Sequence, residues 1–192
     1  GGNSDRPLLD VANPRAGVEH LLEVRRRAYE AIPWQIDTTG LSVEEVVAQV
    51  ERIAAVVTLP VHLPGGQYDI HLGTGLLSHV GGAMRAAGIP RDTRVALVSN
   101  PYVAPLFGAE VEGSLREAGF EPFRCSVSDG EEYKTLNTAS ELYSQFLDGK
   151  LDRSGSVLAL GGGVTGDVAG FAAATFMRGG RFVQGPTTLL AM

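Results

Sequence analysis

The chain has 192 residues, 44% of them hydrophobic and 20% charged, with a net charge of −6 at neutral pH. The acidic balance, with no block of Lys and Arg to offset it, excludes a nucleic-acid partner. A lone cysteine, Cys125, excludes an internal disulfide, and no apolar run reaches the ~18 residues of a membrane span. A cytoplasmic protein with no membrane partner and one or two domains is expected.

Residues 1–12 read as a polar loop. A helix is predicted over 13–32, capped by Asn13 with Pro14 at its first position. Val18, Leu21, Leu22, Arg25 and Tyr29 recur at three- and four-residue spacing, which puts Arg25 near the apolar face. A short strand is expected at 34–37. Ser42 and Glu45 form a capping box for a helix with a buried stripe of Val46, Val47, Val50 and Ile53. This αβα unit of about 55 residues has too little apolar surface for a good core of its own. It reads as the tail of an α/β domain, which sets the domain division at 1–55 and 56–192.

The next segment changes character. Residues 56–63 and 68–72 alternate as strands around Pro64-Gly65-Gly66, the pattern of an antiparallel hairpin, and Pro60 marks an edge strand. Helix is then predicted at 74–87, softened by Gly81 and Gly82, strand at 94–99, helix at 102–118 and strand at 120–127. A helix follows at 136–151, with Thr138 and Glu141 as its capping box. The next strand is VLAL (157–160), then three glycines, then a helix opened by Gly166 and Asp167 and running to Met177. A strand at 181–184 and the first turns of a helix at 187–192 complete the pattern. Alternating strand and helix with short links imply a Rossmann-like parallel sheet with helices on both faces. The chain starts without Met and stops inside that last helix, so it is expected to be a segment of a longer polypeptide.

Open parallel sheets take ligands at the carboxyl ends of their strands. Four segments fall there: 99–101, 129–134, 161–167 and 186–188. Gly161, Gly163 and Gly166 fit the dinucleotide pattern G-x-G-x-x-G between a strand and a helix. The acid expected about 20 residues later is absent, so the turn reads equally as a phosphate cradle or as a strand-to-helix turn with no ligand. Glu131 and Lys134 are suited to ribose hydroxyls and an adenine edge, and Asp167 to a ribose hydroxyl. Thr187 and Thr188 at a helix start either cap it or bind a ligand. His20, His62, His71 and His79 are scattered and read as surface histidines, with no metal-ligand spacing among them.

Residues 56–192 resemble the N-terminal, NAD-binding half of 3-dehydroquinate synthases, through DGEEYKTL (129–136), GGGVTGDVAGFAAATFMRG (161–179) and GPTTLLAM (185–192). The resemblance implies NAD contacts at Glu131, Lys134, Gly161, Gly162, Gly163, Asp167, Thr187 and Thr188. It implies a substrate-phosphate ligand at Arg178, across the interface of a homodimer. The family has a D-x-N pattern near the end of its first strand, where this chain has Asn100 and Tyr102, so Asn100 is expected to bond a ribose without a charge. Gly185 stands in place of a Val. The implied activity is a phosphate-eliminating cyclisation of the small sugar phosphate 3-deoxy-arabino-heptulosonate 7-phosphate to 3-dehydroquinate. The family's divalent metal, zinc or cobalt, and its catalytic residues are expected in a C-terminal helical domain past Met192.

Residues 1–55 resemble the end of shikimate kinases, in GGNSDRPLL (1–9), LLEVRRRAYEAI (21–32) and QIDTTGLSVEEVVAQV (35–50). Carried over, Arg6 is a lid arginine near ATP phosphates and Arg25 a shikimate ligand; a plain surface charge is the other reading of Arg25. The G-x-x-x-x-G-K-[ST] phosphate loop of kinase chemistry is absent from the chain. Together the two resemblances imply a fused bifunctional enzyme of the shikimate pathway. The alternatives are a metal-dependent polyol or glycerol dehydrogenase, whose glycine turn continues as GGGS-x-x-D, and a non-catalytic NAD-binding module.

Overall fold

The computed structural model describes residues 20, 23–26, 36, 38–53 and 56–191. Its elements, in chain order, are α1 (Val43–Ile53), β1 (Val57–Leu63), β2 (Gly66–Leu72), α2 (Val80–Ala86), β3 (Arg94–Ser99), α3 (Ala104–Glu117), β4 (Glu121–Ser126), α4 (Leu136–Asp148), β5 (Ser156–Gly161), α5 (Gly163–Thr175) and β6 (Arg181–Pro186). Short 3-10 turns lie at Leu76–His79, Glu131–Tyr133, Phe176–Arg178 and Leu189–Ala191.

Strands β3 to β6 form one parallel sheet in the order β4-β3-β5-β6. The two central strands, β3 and β5, are buried on both faces because both faces are covered, whereas β4 and β6 at the ends carry exposed polar residues such as Arg124 and Arg181. Ala96, Val98, Val157 and Ala159 point into a core with Leu142 and Phe146 of α4 and Val168, Ala169 and Ala172 of α5. Their neighbours Val95, Leu97, Leu158 and Leu160 point the other way, against Met84 of α2 and Val111 and Leu115 of α3. This period-two division places two helices on each side, as the sequence predicts. The chain steps outward from β3 to β4, then returns to place β5 on the other side of β3. The strand order therefore reverses between β3 and β5, where doubly wound sheets bind ligands.

β4 is the end strand of this sheet, and its outer edge is blunted by one side chain. The Ser126 N–H donates to Gln145 Oε1 at 2.8 Å, and Gln145 Nε2 donates to the Ser126 carbonyl at 3.0 Å. The amide of a helix residue thus takes the two backbone groups that another strand would pair.

β1 and β2 make the expected hairpin, with Val61 opposite Tyr68 and Leu59 opposite Ile70. It is a separate two-stranded sheet, so Pro60 lies on an edge, as predicted. Strand β2 begins at Gly66, two residues earlier than expected.

Several boundaries differ from expectation. The predicted helix at 74–87 is a 3-10 turn after the left-handed Gly75 (φ 68°), followed by the short α2, with the interruption between them at His79 (φ −115°, ψ 1°). Gly81 is a contact residue there: a Cβ would meet the Ser114 carbonyl at 2.2 Å, and its N–H donates to Ser114 Oγ at 3.0 Å. Only a glycine lets α2 cross α3 this closely. The predicted helix at 102–118 starts at Ala104. The cap of α4 is Thr135, whose Oγ1 accepts from the Thr138 N–H at 3.2 Å, in place of the expected Thr138–Glu141 box. Glu141 instead accepts from Asn137 at 2.8 Å. The predicted helix at 187–192 is a 3-10 turn in the described residues.

In the N-terminal part, Arg25 is helical and exposed, and Ile36 has no regular structure. Arg6 and most of the predicted 13–32 helix and 34–37 strand lie outside the described residues. The Ser42–Glu45 capping box forms, with the Glu45 N–H donating to Ser42 Oγ at 3.2 Å and the Ser42 N–H to Glu45 Oε2 at 2.8 Å. The stripe expected to be buried on α1 is open at Val47 and Val50, because no described element packs extensively against it.

Candidate functional site

The carboxyl ends of β3, β4, β5 and β6 share one edge of the sheet, and three polar contacts lace the loops that leave them. After β3, Asn100 is buried, and its Oδ1 accepts from the N–H groups of Tyr102 and Val103 at 3.0 and 2.9 Å. Its Nδ2 donates to Asp129 Oδ1 at 3.3 Å, which ties the β3 loop to the β4 loop. The carbonyl oxygen of Asn100 therefore shapes the start of α3. Among the described residues, its amide donates only the one hydrogen bond to Asp129.

After β4, the 3-10 turn brings Glu131 and Lys134 across to α5. Lys134 Nζ lies 3.0 Å from Glu131 Oε2 and 2.9 Å from Asp167 Oδ2. Hydrogen bonds to Asp167, then to Glu131, raise the lysine above its ordinary value of 10.5, so the ammonium stays charged. Three of the charged residues singled out in the sequence thus form one cluster.

After β5 comes the glycine turn. Helix α5 starts at Gly163, three residues earlier than Gly166, because Gly162 is extended (φ −79°, ψ −167°) and its carbonyl already accepts the Gly166 N–H at 3.0 Å. No side chain caps this helix and its first turn holds no acid. The first N–H groups of α5 are therefore open to an anion, with the positive end of the helix dipole behind them.

The three glycines differ in what they do. A Cβ on Gly161 would lie 2.6 Å from Thr165 Oγ1 and one on Gly162 3.4 Å from Thr188 Cγ2, whereas one on Gly163 meets nothing within 4 Å. Gly161 is required by the fold. Gly163 has no such neighbour, and its bare backbone leaves room for a ligand to approach.

After β6, the Thr187 N–H donates to the Gly161 carbonyl at 3.0 Å, which locks the β6 loop to the glycine turn. Thr187 Oγ1 is buried and, among the described residues, has no hydrogen-bond partner. Buried hydroxyls rarely stay unpaired, so this group fits a ligand atom. Thr188 accepts the Ala191 N–H on its carbonyl at 3.0 Å, and its side chain lies over Gly162. The two threonines therefore divide the roles weighed for them: backbone bonds at both positions organise the turn, and the Thr187 hydroxyl is left over.

Asn100, Glu131, Lys134, Asp167, the glycines and both threonines thus meet at one edge. Arg178 does not join them. It lies beyond the far end of α5, about 20 Å along a 13-residue helix, in a turn where Met177 (φ 48°) and Arg178 (φ 72°) are both left-handed. Arg25 is an exposed helical residue of the N-terminal part. Sequence reasoning missed Asp129 as a tie to Asn100; its place at the start of the DGEEYKTL run was the available signal.

The residues at this edge fit a dinucleotide. They offer open N–H groups for a diphosphate, carboxylates for ribose hydroxyls and an orphan hydroxyl beside the glycine turn. They do not fit a metal ion: among the described residues no group of three or more His, Cys, Asp or Glu side chains converges. No described helix is long and apolar enough to cross a membrane.

Comparison with known proteins agrees with this geometry. The chain is 49% identical over 134 residues to the 3-dehydroquinate synthase of Pelotomaculum thermopropionicum, covering 70% of this chain and 36% of that protein. It is 49% identical over 134 residues to the enzyme of the same name from Geobacter metallireducens, covering 70% and 37%. The chain thus spans about a third of the length of these curated relatives. Among solved structures, a 2-deoxy-scyllo-inosose synthase complexed with carbaglucose-6-phosphate, NAD+ and Co2+ matches with a TM-score of 0.63 at 25% identity, over 70% of this chain and 36% of that one. The α/β fold is thus that of this synthase group, and residues 124–192, from β4 through the glycine turn to the β6 loop, match the family model of the 3-dehydroquinate synthase N-terminal region.

Proposed function

We propose that residues 56–192 are the NAD-binding part of a 3-dehydroquinate synthase. The whole enzyme would convert 3-deoxy-arabino-heptulosonate 7-phosphate to 3-dehydroquinate with loss of phosphate. The observation that carries the reading is the buried, unpartnered Thr187 hydroxyl beside a glycine turn whose helix N–H groups have no internal acceptor. Together they describe a half-built hydrogen-bond network that a dinucleotide would complete. Bound NAD+ supplies a hydride acceptor. The chain's own groups bind and orient: the N–H groups of Gly163 and the first turn of α5 take the diphosphate, the bare backbone of Gly163 leaves room for its approach, Gly161 and Gly162 shape the turn that lines it, and Asp167 and Glu131 accept from ribose hydroxyls. Lys134 neutralises phosphate charge, Thr187 and Thr188 close the β6 side, and Asn100 donates to the ribose nearest β3.

Arg178 is assigned to the substrate phosphate. Its position at the opposite end of α5 from the cradle supports service to the site of a second copy, and a homodimer is part of the proposal. Zinc or cobalt would be held by residues other than these 192, and we derive no step through it. The first 55 residues are assigned to the end of a shikimate kinase, with Arg25 toward shikimate and Arg6 toward ATP, in a fused cytoplasmic enzyme.

Isothermal titration of the chain with NAD+ tests the cradle. Saturable binding with one site per chain is expected, and no heat up to millimolar NAD+ overturns it. The chain alone is expected to release no phosphate from the seven-carbon substrate. Accumulation of NADH with glycerol by the whole enzyme would replace the synthase reading with a polyol dehydrogenase.

A further inference from the structure

The Lys134 ammonium lies between Glu131 on its own turn, at 3.0 Å, and Asp167 on α5, at 2.9 Å. The two carboxylate side chains are 77% and 67% exposed, whereas the lysine is 32% exposed, so the cation is the covered member of the cluster. The bridge spans two elements. Lys134 follows β4, at one end of the sheet, and Asp167 sits one turn into α5, after β5. The β4 loop must therefore pass over the end of β3 to reach it, and the contact holds that loop against the uncapped start of α5.

The same groups are needed twice. A diphosphate arriving at the open N–H groups of α5 brings negative charge close to Asp167. The two carboxylates would repel it unless the ammonium moved with it, and while the ammonium holds them, their oxygens are partly withdrawn from ribose hydroxyls. Charge-assisted pairing to a diphosphate is at least as strong as pairing to an exposed carboxylate.

We propose that Lys134 is an exchangeable latch: in the ligand-free protein it ties the β4 loop to Asp167, and a dinucleotide draws the ammonium onto its diphosphate and frees Asp167 and Glu131 for ribose hydroxyls. This rests on reading the edge as a dinucleotide cradle. Ligand binding then exchanges one tether of the loop for another and leaves the loop ordered in both states.

Amide hydrogen exchange of residues 129–135 reads the tether directly. In the free protein, Lys134→Gln and Asp167→Asn are each expected to speed exchange in this loop, on the order of three- to fivefold for an ion pair near the surface. Lys134→Arg is expected to restore protection. Unchanged exchange in both loss variants overturns the latch, whatever the ligand does. With NAD+ at saturation, Asp167→Asn is expected to leave loop exchange at the wild-type level, because the diphosphate now holds Lys134. A speed-up equal to that in the free protein shows that the ammonium never leaves Asp167 and overturns the exchange. If millimolar NAD+ neither binds nor protects wild-type protein, the dinucleotide reading fails and the exchange with it, while the free-protein comparison still decides the tether alone.

Discussion

The Thr187 N–H donates to the Gly161 carbonyl at 3.0 Å, while the hydroxyl of the same threonine is buried without a partner. The backbone contact belongs to the fold and the hydroxyl does not, so the two can be separated. Thr187→Val keeps shape and the backbone bond but removes the hydroxyl. Thermal stability should stay level or rise, since an unpaired buried hydroxyl is removed. NAD+ affinity should fall about tenfold, the loss of one hydrogen bond worth ~1–1.5 kcal/mol. Calorimetric titration beside a melting curve checks both, and unchanged affinity removes Thr187 from the site.

Gly161 and Gly163 should respond oppositely to alanine. At Gly161 the new Cβ would lie 2.6 Å from Thr165 Oγ1, with Thr165 fully buried. Overpacking of this kind costs about 1–3 kcal/mol, so Gly161→Ala should lower the melting temperature. At Gly163 the Cβ meets nothing, and alanine favours a helix over glycine. Gly163→Ala should therefore melt no lower than wild type yet lose NAD+ affinity, because the methyl occupies the approach to the first N–H groups. Retained affinity in Gly163→Ala would mean that the ligand does not come close to that turn.

How far the sequence reached follows from which interactions are local. The parallel sheet, its covered faces and the four loops at one edge were legible, because continuous apolar runs such as Val95–Val98 report burial on both sides directly. Ser42 with Glu45 was legible as a cap because both partners lie within one turn. The Thr135 cap was missed because Thr138 and Glu141 offered the same spacing one turn later. The early start of α5 was missed because a glycine such as Gly162 can act as a cap through its backbone alone, which leaves no side-chain signal. The hydrogen bonds of Gln145 to Ser126 and of Asn100 to Asp129 join distant positions, and no periodicity announces them. Gly81 looked like a weak point in a helix, whereas the crossing of α2 and α3 requires it.

Glu112 of α3 carries a pH dependence. It is 8% exposed and pairs with Arg124 and Arg116, the latter at 3.1 Å. Burial opposes its ionisation, but the hydrogen bonds from Arg124 and Arg116 outweigh burial and hold its pKa below the ordinary 4.5. A depressed folded-state pKa contributes stability that is fully present above the unfolded value and lost as pH falls through the folded value. Glu112→Gln should therefore destabilise by about 1–2 kcal/mol near neutral pH. The gap from wild type should persist above the ordinary value of 4.5 and close as pH falls below it. Urea melts at several pH values check this, and a gap that stays constant into acid would assign the loss to packing.

The outer edge of β4 is closed by a side chain. Ser126 presents an N–H and a carbonyl on the side of β4 away from β3, and Gln145 takes both, at 2.8 and 3.0 Å. An unpaired edge is a template for another strand, and natural sheets block such edges. Gln145 does this from α4 without adding a strand. Gln145→Ala leaves both groups to water at an exposed position, so the direct loss of stability should be small, about 1 kcal/mol. The larger effect should appear in association. Light scattering of Gln145→Ala should show concentration-dependent growth under conditions where wild type is steady, and Gln145→Glu, which keeps an acceptor for the Ser126 N–H but loses the donor, should fall between them. Equal scattering from all three proteins would show that β4 is protected by something other than this amide.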